Sequence, residues 1–283
     1  MRKSIILWIA AALVAGRAGA FAQTALPPAP RPAGGGAPFP PLLADPKEPA
    51  FFATYLWDRS PRLASKLGSV GVGQTIGLVR AGDWQLAVAA GVFSQFNMQS
   101  RTNDLINTDY VVGLPVTYRH GSLATRFRLY HQSSHLGDEY MVHTNAQRVD
   151  LTFEAAELLV AREIANWRVY GGGEYIFARS PADLKPGVLH GGVEYRQPGP
   201  LLRLGKLGVG RLVAAVDAKA VEDRAWQMGW SAVTGLEWGD PLAVPGSGRR
   251  WSVLLKAYAG PSPYGEFYRD RVSSLGLGVG FTL

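Results

Sequence analysis

The sequence predicts an all-β protein, a transmembrane antiparallel β-barrel of about twelve strands. Three observations predict it. Period-two alternation of apolar and polar residues recurs from residue 51 to the C-terminus. Most of the alternating segments match the roughly 9–11 residues that cross a bilayer obliquely, and exceed the mean soluble strand of about 5–6. The chain also opens on an export-type leader.

That leader is "MRKSIILWIAAALVAGRAGAFAQ". Arg2 and Lys3 form a positive start, Ser4 to Ala15 a short apolar core, and Ala20-Phe21-Ala22 a cleavage pattern. The apolar run is shorter than the roughly 20 residues of a spanning helix. Residues 1–22 are therefore expected to be a cleaved signal peptide, and the mature chain to begin near Gln23. Its removal takes Arg2, Lys3 and Arg17 from the 29 basic residues and none of the 22 acidic ones. A charge of about +4 remains, too mild to argue for a nucleic-acid partner. The absence of cysteine fits an oxidising compartment. The expected location is the outer membrane of a Gram-negative bacterium.

Residues 23–50 contain "TALPPAPRPAGGGAPFPPLLADPKEP", dense in Pro and Gly and without hydrophobic periodicity. They read as a disordered periplasmic arm with no packed core. The barrel is expected over 51–283, with strands near 51–57, 68–80, 84–96, 109–118, 121–133, 147–162, 166–177, 187–197, 208–220, 226–238, 250–259 and 273–283. The closing "SLGLGVGFTL" is the clearest. It sets Leu275, Leu277, Val279, Phe281 and Leu283 against Ser274, Gly276, Gly278, Gly280 and Thr282. In "WSVLLKAYAG", Trp251, Val253, Leu255 and Ala257 oppose Ser252, Lys256 and Tyr258.

Connections, tryptophans and charges fit the same reading. With a periplasmic N-terminus, the tight turns at 81–83, 120–121 and near Asn166 fall inside, and the longer links at 97–108, 134–146 and 261–272 outside. The links 198–207 and 239–249 are longer than that rule. Trp84, Trp167, Trp238 and Trp251 are expected at periplasmic strand ends and Trp57 and Trp226 at outer ends, as interfacial girdles. Arg126, Arg128, Glu154, Glu174, Glu194, Arg211, Asp217, Lys219, Glu237 and Lys256 are expected to line a polar, charge-paired lumen. A charge at the midplane of the lipid face would cost about 2–4 kcal/mol. Pro115 removes a ladder hydrogen bond within a closed sheet, which predicts a bulge there.

One polar stretch suggests chemistry: "HQSSHLGDEY", from His131 to Tyr140. The apolar Leu123, Phe127 and Leu129 set the outward parity of the fifth strand, so His131 and Ser133 are expected to point to lipid. Arg126, Arg128, Tyr130 and Gln132 then point inward. On the sixth strand Val149, Leu151 and Phe153 are expected outward, with Asn145 in the same parity. Same-face residues directly opposite on hairpin strands lie about 4.5–5.5 Å apart, so His131, Ser133 and Asn145 are expected to cluster. An imidazole beside a serine hydroxyl activates it as a nucleophile, and a third polar group fixes the tautomer.

The segments "FPPLLADPKEPAFFATY", "SSHLGDEY" and "PYGEFYRDRVSSLGLGVGF" resemble a family of bacterial outer-membrane proteins catalogued only as a domain of unknown function. The Leu-Leu-Ala-Asp-Pro-Lys-Glu-Pro run is the most distinctive part. That resemblance implies a barrel and no reaction. His-Gln-Ser followed at this interval by Asn is similar to the active site of the outer-membrane phospholipase A family, also twelve-stranded barrels. This second resemblance implies Ser133 as nucleophile, His131 as base, Asn145 as orienting residue and a calcium ion at the oxyanion site. The family's calcium-binding serine falls here at Met141. Asp138 and Glu139 offer the carboxylates for a hard cation in its place.

The primary reading is an outer-membrane barrel of unassigned activity. A phospholipase A-like lipid esterase and a narrow channel or uptake protein stay open beside it. So do a transition-metal site built on His131, His135 and His143 with Asp138 and Glu139, and a purely structural rim. The expected partners are outer-membrane lipids and, through the C-terminal strand, the barrel-assembly machinery.

Overall fold

The structure is a computed structural model that describes residues 36–60, 63–203, 208–239 and 249–282. The expected signal peptide and residues 23–35 lie outside the described residues. The strands are β1 (Phe51–Asp58), β2 (Lys66–Ala81), β3 (Trp84–Asn97), β4 (Leu105–His120), β5 (Leu123–Leu136), β6 (Thr152–Ile164), β7 (Trp167–Ser180), β8 (Gly187–Arg196), β9 (Leu202–Arg203), β10 (Val209–Val221), β11 (Gln227–Gly239), β12 (Arg250–Pro261) and β13 (Arg271–Thr282). β9 is a two-residue stub beside β10. The other twelve run antiparallel in chain order, and β1 pairs with β13 from Phe51↔Phe281 to Asp58↔Ser274. That last ladder closes the sheet, so every long strand has two neighbours and no edge remains.

Two-residue turns join β2 to β3, β4 to β5 and β6 to β7 at one end. Each has a positive φ at its first residue: Gly82 (57°), Gly121 (56°) and Ala165 (52°). Left-handed backbone at that position matches the twist of the strands it joins. The links 98–104, 137–151 and 262–270 gather at the opposite end. The first is short, and the other two fold over the barrel mouth. One seven-residue helix, α1 (Asp138–Thr144), lies in the second of them.

The two faces sort as the alternation predicts on β5. Arg126, Arg128, Tyr130 and Gln132 are buried, and Leu123, Phe127 and Leu129 are exposed. A belt of exposed Val, Leu and Ile covers the outside. At the tight-turn end it is bordered by cross-strand ring pairs: Trp84–Tyr118, Trp167–Tyr195 and Trp251–Phe281, with centroids 4.6, 4.9 and 4.4 Å apart. All three are register partners.

Three expectations are corrected. Pro115 makes no bulge: Leu86↔Val116 and Ala89↔Gly113 keep one register, and the ladder between β3 and β4 skips the two pairs between them. The sheet tolerates the missing donor by interrupting the ladder. The bulges lie elsewhere, between Gly77 and Val79, Gln95 and Phe96, and Glu154 and Ala155. On β6 the parity is the reverse of that expected: Leu151 and Phe153 are buried and Glu154 is half-exposed. The apolar side chains face inward there because the interior of this barrel is partly apolar.

The reason is the third correction. Residues 36–50 are no free arm but a plug inside the barrel, with Phe39, Leu42, Ala44, Asp45 and Glu48 buried. Phe39 and Leu42 pack with Ala124, Leu159, Ala161 and Tyr170 near the tight-turn end. The chain then rises to a turn in which Glu48 N–H donates to Asp45 O (3.2 Å) and Lys47 N–H to Asp45 Oδ1 (2.9 Å). Asp at the first position of a turn and Pro46 at the second are what that geometry favours. The Asp-Pro-Lys-Glu run is therefore the tip of the plug. From the other end Tyr140, Tyr264 and Phe267 close over Phe93, Ile106, Tyr130, Phe153 and Ile176.

Candidate functional site

Two arrangements have the chemistry to be a site, one on the outer face and one in the lumen. On the outer face, β5 and β6 place His131 directly opposite Glu154. His131 Nδ1 lies 3.1 Å from Glu154 Oε1, both side chains being somewhat under half exposed. Ser133 stands two residues along the same strand face, roughly 6.6 Å away by backbone rise, opposite Tyr110 on β4 and Thr152 on β6. Ser133 Oγ makes no hydrogen bond among the described residues. Apo nucleophile–base pairs commonly stand loose in this way.

Asn145 lies elsewhere. It is the exposed residue that ends α1, in left-handed backbone at φ 52° and ψ 27°. It makes no hydrogen bond to His131 among the described residues. The structure thus brings Glu154 to the imidazole and does not bring Asn145. Alternation placed Glu154 in the lumen, so the sequence reading missed it. The available signal was its pairing register with His131, which the inverted β6 parity obscured.

Asp138 and Glu139 form the exposed first turn of α1, and Asp138 Oδ1 accepts from Arg148 Nη2 at 3.0 Å. Met141 packs against the interior cluster, and its side chain offers no oxygen. Calcium takes six to eight oxygen ligands, and no third acidic or histidine side chain converges on Asp138 and Glu139 among the described residues. These residues do not fit a calcium site. Nor do the three histidines gather. His143 binds Asp104 at 2.9 Å, His131 binds Glu154, and His135 stacks edge-on to Tyr110. The Thr102 hydroxyl, seconded by His143, holds the Asp104 carboxyl below its ordinary range.

In the lumen, Arg126 donates from Nη1 to Glu48 Oε1 and from Nε to Glu157 Oε1, both at 2.8 Å. Arg128 shares Glu157 at 2.7 Å. Lys219 Nζ bridges Asp45 (3.3 Å) and Glu174 (3.0 Å). Arg168 donates to Glu194 (2.7 Å) and to the plug carbonyls of Pro40 (2.9 Å) and Pro41 (3.0 Å), while Glu194 also accepts the Leu43 N–H at 2.8 Å. Asp109, fully buried, receives Lys47, the Ser134 hydroxyl and the Gly265 N–H. One carboxylate so ties plug tip, wall and cap together. On the cap, Glu266 accepts the N–H groups of Val149 (2.8 Å) and Asp150 (3.2 Å), and burial nevertheless pushes its carboxyl up.

Glu157, Glu174 and His190 come close enough together to hold a metal ion. Glu157 is already committed to Arg126 and Arg128, Glu174 to Lys219, and His190 through Nε2 to Asp217. A divalent ion there would face three fixed cations, so the cluster is an ion-pair network.

Comparison with solved structures agrees with this architecture. The outer membrane phospholipase A from Escherichia coli matches at a TM-score of 0.59 and 12% identity, over 86% of this chain and 93% of that one. The Salmonella typhi outer membrane phospholipase dimer with bound calcium matches at 0.57 and 12%, over 82% and 90%. At that identity the likeness is one of fold, that of a bacterial outer-membrane barrel. No curated protein matches the sequence. The family model described as "Protein of unknown function (DUF1207)" matches residues 10–283, and the chain belongs to that family.

Proposed function

We propose that this barrel hydrolyses a lipid ester at its outer surface, with Ser133 as nucleophile, His131 as general base and Glu154 as the group that orients the imidazole. The observation that carries the reading is the 3.1 Å contact of His131 Nδ1 with Glu154 Oε1, on the strand face that also presents Ser133. With Nδ1–H donated to the carboxylate, Nε2 is left as the base. Nε2 takes the Ser133 proton as Oγ attacks the ester carbonyl, then returns it to the departing alcohol. Water resolves the acyl-enzyme by the same route. Glu154 replaces the neutral orienting group implied by the phospholipase resemblance, and its charge stabilises the imidazolium formed in each step.

The face the pair occupies supports a membrane substrate. Tyr110, Val112 and Leu129 around it are all exposed on the outside of the barrel. The lumen supports a channel less well, because plug and cap fill it from opposite ends. In this reading the partners are outer-membrane lipids and the assembly machinery that receives β13. The test is hydrolysis of a fluorogenic phospholipid by refolded, heat-modifiable protein. Turnover lost in Ser133→Ala is expected, and no turnover from folded wild type would reject the assignment.

A further inference from the structure

A cavity of about 180 Å³ lies between the plug and the wall made by β1, β11, β12 and β13. It exceeds the roughly 150 Å³ apolar cavity that holds a benzene. It runs beside β1 from Phe281 and Thr282 at the tight-turn end to Asp58 and Val272 at the other. Leu42 and Leu43 of the plug face Phe52, Leu56 and Leu254 of the wall across it. On this side β13 turns Gly276, Gly278 and Gly280 inward, so the wall carries few side chains of its own.

Lys256 points into this space from β12. The lumenal cations Lys47, Arg126, Arg128, Arg168, Lys219 and Arg250 each have a carboxylate within 4.0 Å. Among the described residues Lys256 has none, and its ammonium rests over the Phe52 ring, 4.0 Å from the centroid. Its cross-strand partners are Val233 and Gly276, which bring no charge. The carboxylates on the same cavity are committed elsewhere: Asp45 to Lys219, Glu48 to Arg126, Glu237 to Arg250. Asp58 accepts the Ser60 N–H at the far end. Lys256 is half-buried, and an ammonium that loses part of its hydration without gaining a counter-ion bears a cost that an anion carrying an apolar body would relieve.

We infer that the lumen holds a binding site for a monoanionic amphiphile, an alkyl carboxylate whose head pairs with Lys256 and whose chain lies along β1 between plug and wall. One cation matches one negative charge, which selects against polyanions. The leucine and phenylalanine walls select an apolar chain over a sugar or peptide. The site is separate from Ser133, on the inner face, and stands whether or not the outer face hydrolyses esters.

The test is equilibrium binding of radiolabelled laurate, and of dodecanol as the uncharged control, to the full-length mature protein in lipid nanodiscs at pH 7. Saturable binding of one laurate per barrel is expected. Lys256→Met should weaken laurate at least tenfold while leaving dodecanol unchanged, and Lys256→Arg should retain laurate within threefold. Leu43→Trp, which fills the cavity from the plug, should reduce both ligands; it remains informative if Lys256→Met fails to fold. Ser133→Ala should bind laurate as wild type does, so failure of the hydrolase reading leaves this result standing. Absence of saturable laurate binding by folded wild type would overturn the inference, as would laurate binding indifferent to both Lys256→Met and Leu43→Trp.

Discussion

Glu48 of the plug and Arg126 of β5 meet inside the barrel with Oε1 and Nη1 2.8 Å apart, and both side chains are almost wholly buried. Glu157 holds the other side of the same guanidinium. The plug is thus joined to the wall by a charge that neither partner can leave unpaired without penalty.

Glu48→Ala should therefore destabilise the barrel by about 3 kcal/mol, the lower end of what breaking a buried pair costs, because Arg126 keeps Glu157. Guanidinium unfolding of refolded protein in micelles measures it. The double variant Glu48→Leu with Arg126→Met should recover most of the loss, since no buried charge is then orphaned.

Removal of residues 36–50 should convert a silent barrel into a conducting one. Phe39, Leu42 and the Asp45–Glu48 turn occupy the interior, and the wall charges they neutralise would face water. Planar-bilayer recording should show little conductance for the intact protein and discrete openings for the deletion. Openings of equal size in both would mean that the plug does not fill the lumen.

If the outer-face pair is catalytic, Ser133→Ala should abolish ester turnover and Glu154→Gln should lower kcat about 10²–10⁴-fold with KM little changed. Asn145→Ala should have no more than a small effect, because Asn145 ends α1 and does not touch His131. A large loss in Asn145→Ala with none in Glu154→Gln would reverse the assignment of the orienting residue.

The link 98–104 should loosen in acid. The Asp104 carboxyl is held below its ordinary value by the Thr102 hydroxyl and by His143 of α1. A depressed carboxylate stabilises the fold above its unfolded pKa of about 3.9 and loses that contribution as pH falls through the lower folded value. Hydrogen exchange in 98–104 and 138–144 should stay slow from pH 7 to about 4 and rise below it. In Asp104→Asn it should be faster at pH 7 and lack the step.

Much of the barrel is legible in single residues. Leu275, Leu277 and Val279 face out and Gly276, Gly278 and Gly280 face in, as alternation requires. The inward Arg126 and Arg128 and the outward His131 and Ser133 were equally readable from β5 alone. Glu154 was not. β6 carries Phe153, Ala155 and Leu159 on the inside and Leu158 and Val160 on the outside, so its apolar residues do not name a face. The place of Glu154 beside His131 therefore follows only from the register His131↔Glu154.

The sequence by itself determined the class of fold, the approximate strand positions, the even-numbered antiparallel sheet and, outside β6, the lipid-facing belt. These follow from the two-residue period of a strand and the need to satisfy backbone groups within a membrane. Only the tertiary structure decided that a Pro-rich segment lies inside the barrel. Its order comes from contacts such as Glu48–Arg126 and Leu43–Glu194, 78 and 151 positions apart. Local composition reports how a segment behaves alone, and this segment is ordered by charges and rings that the closed sheet alone brings to it.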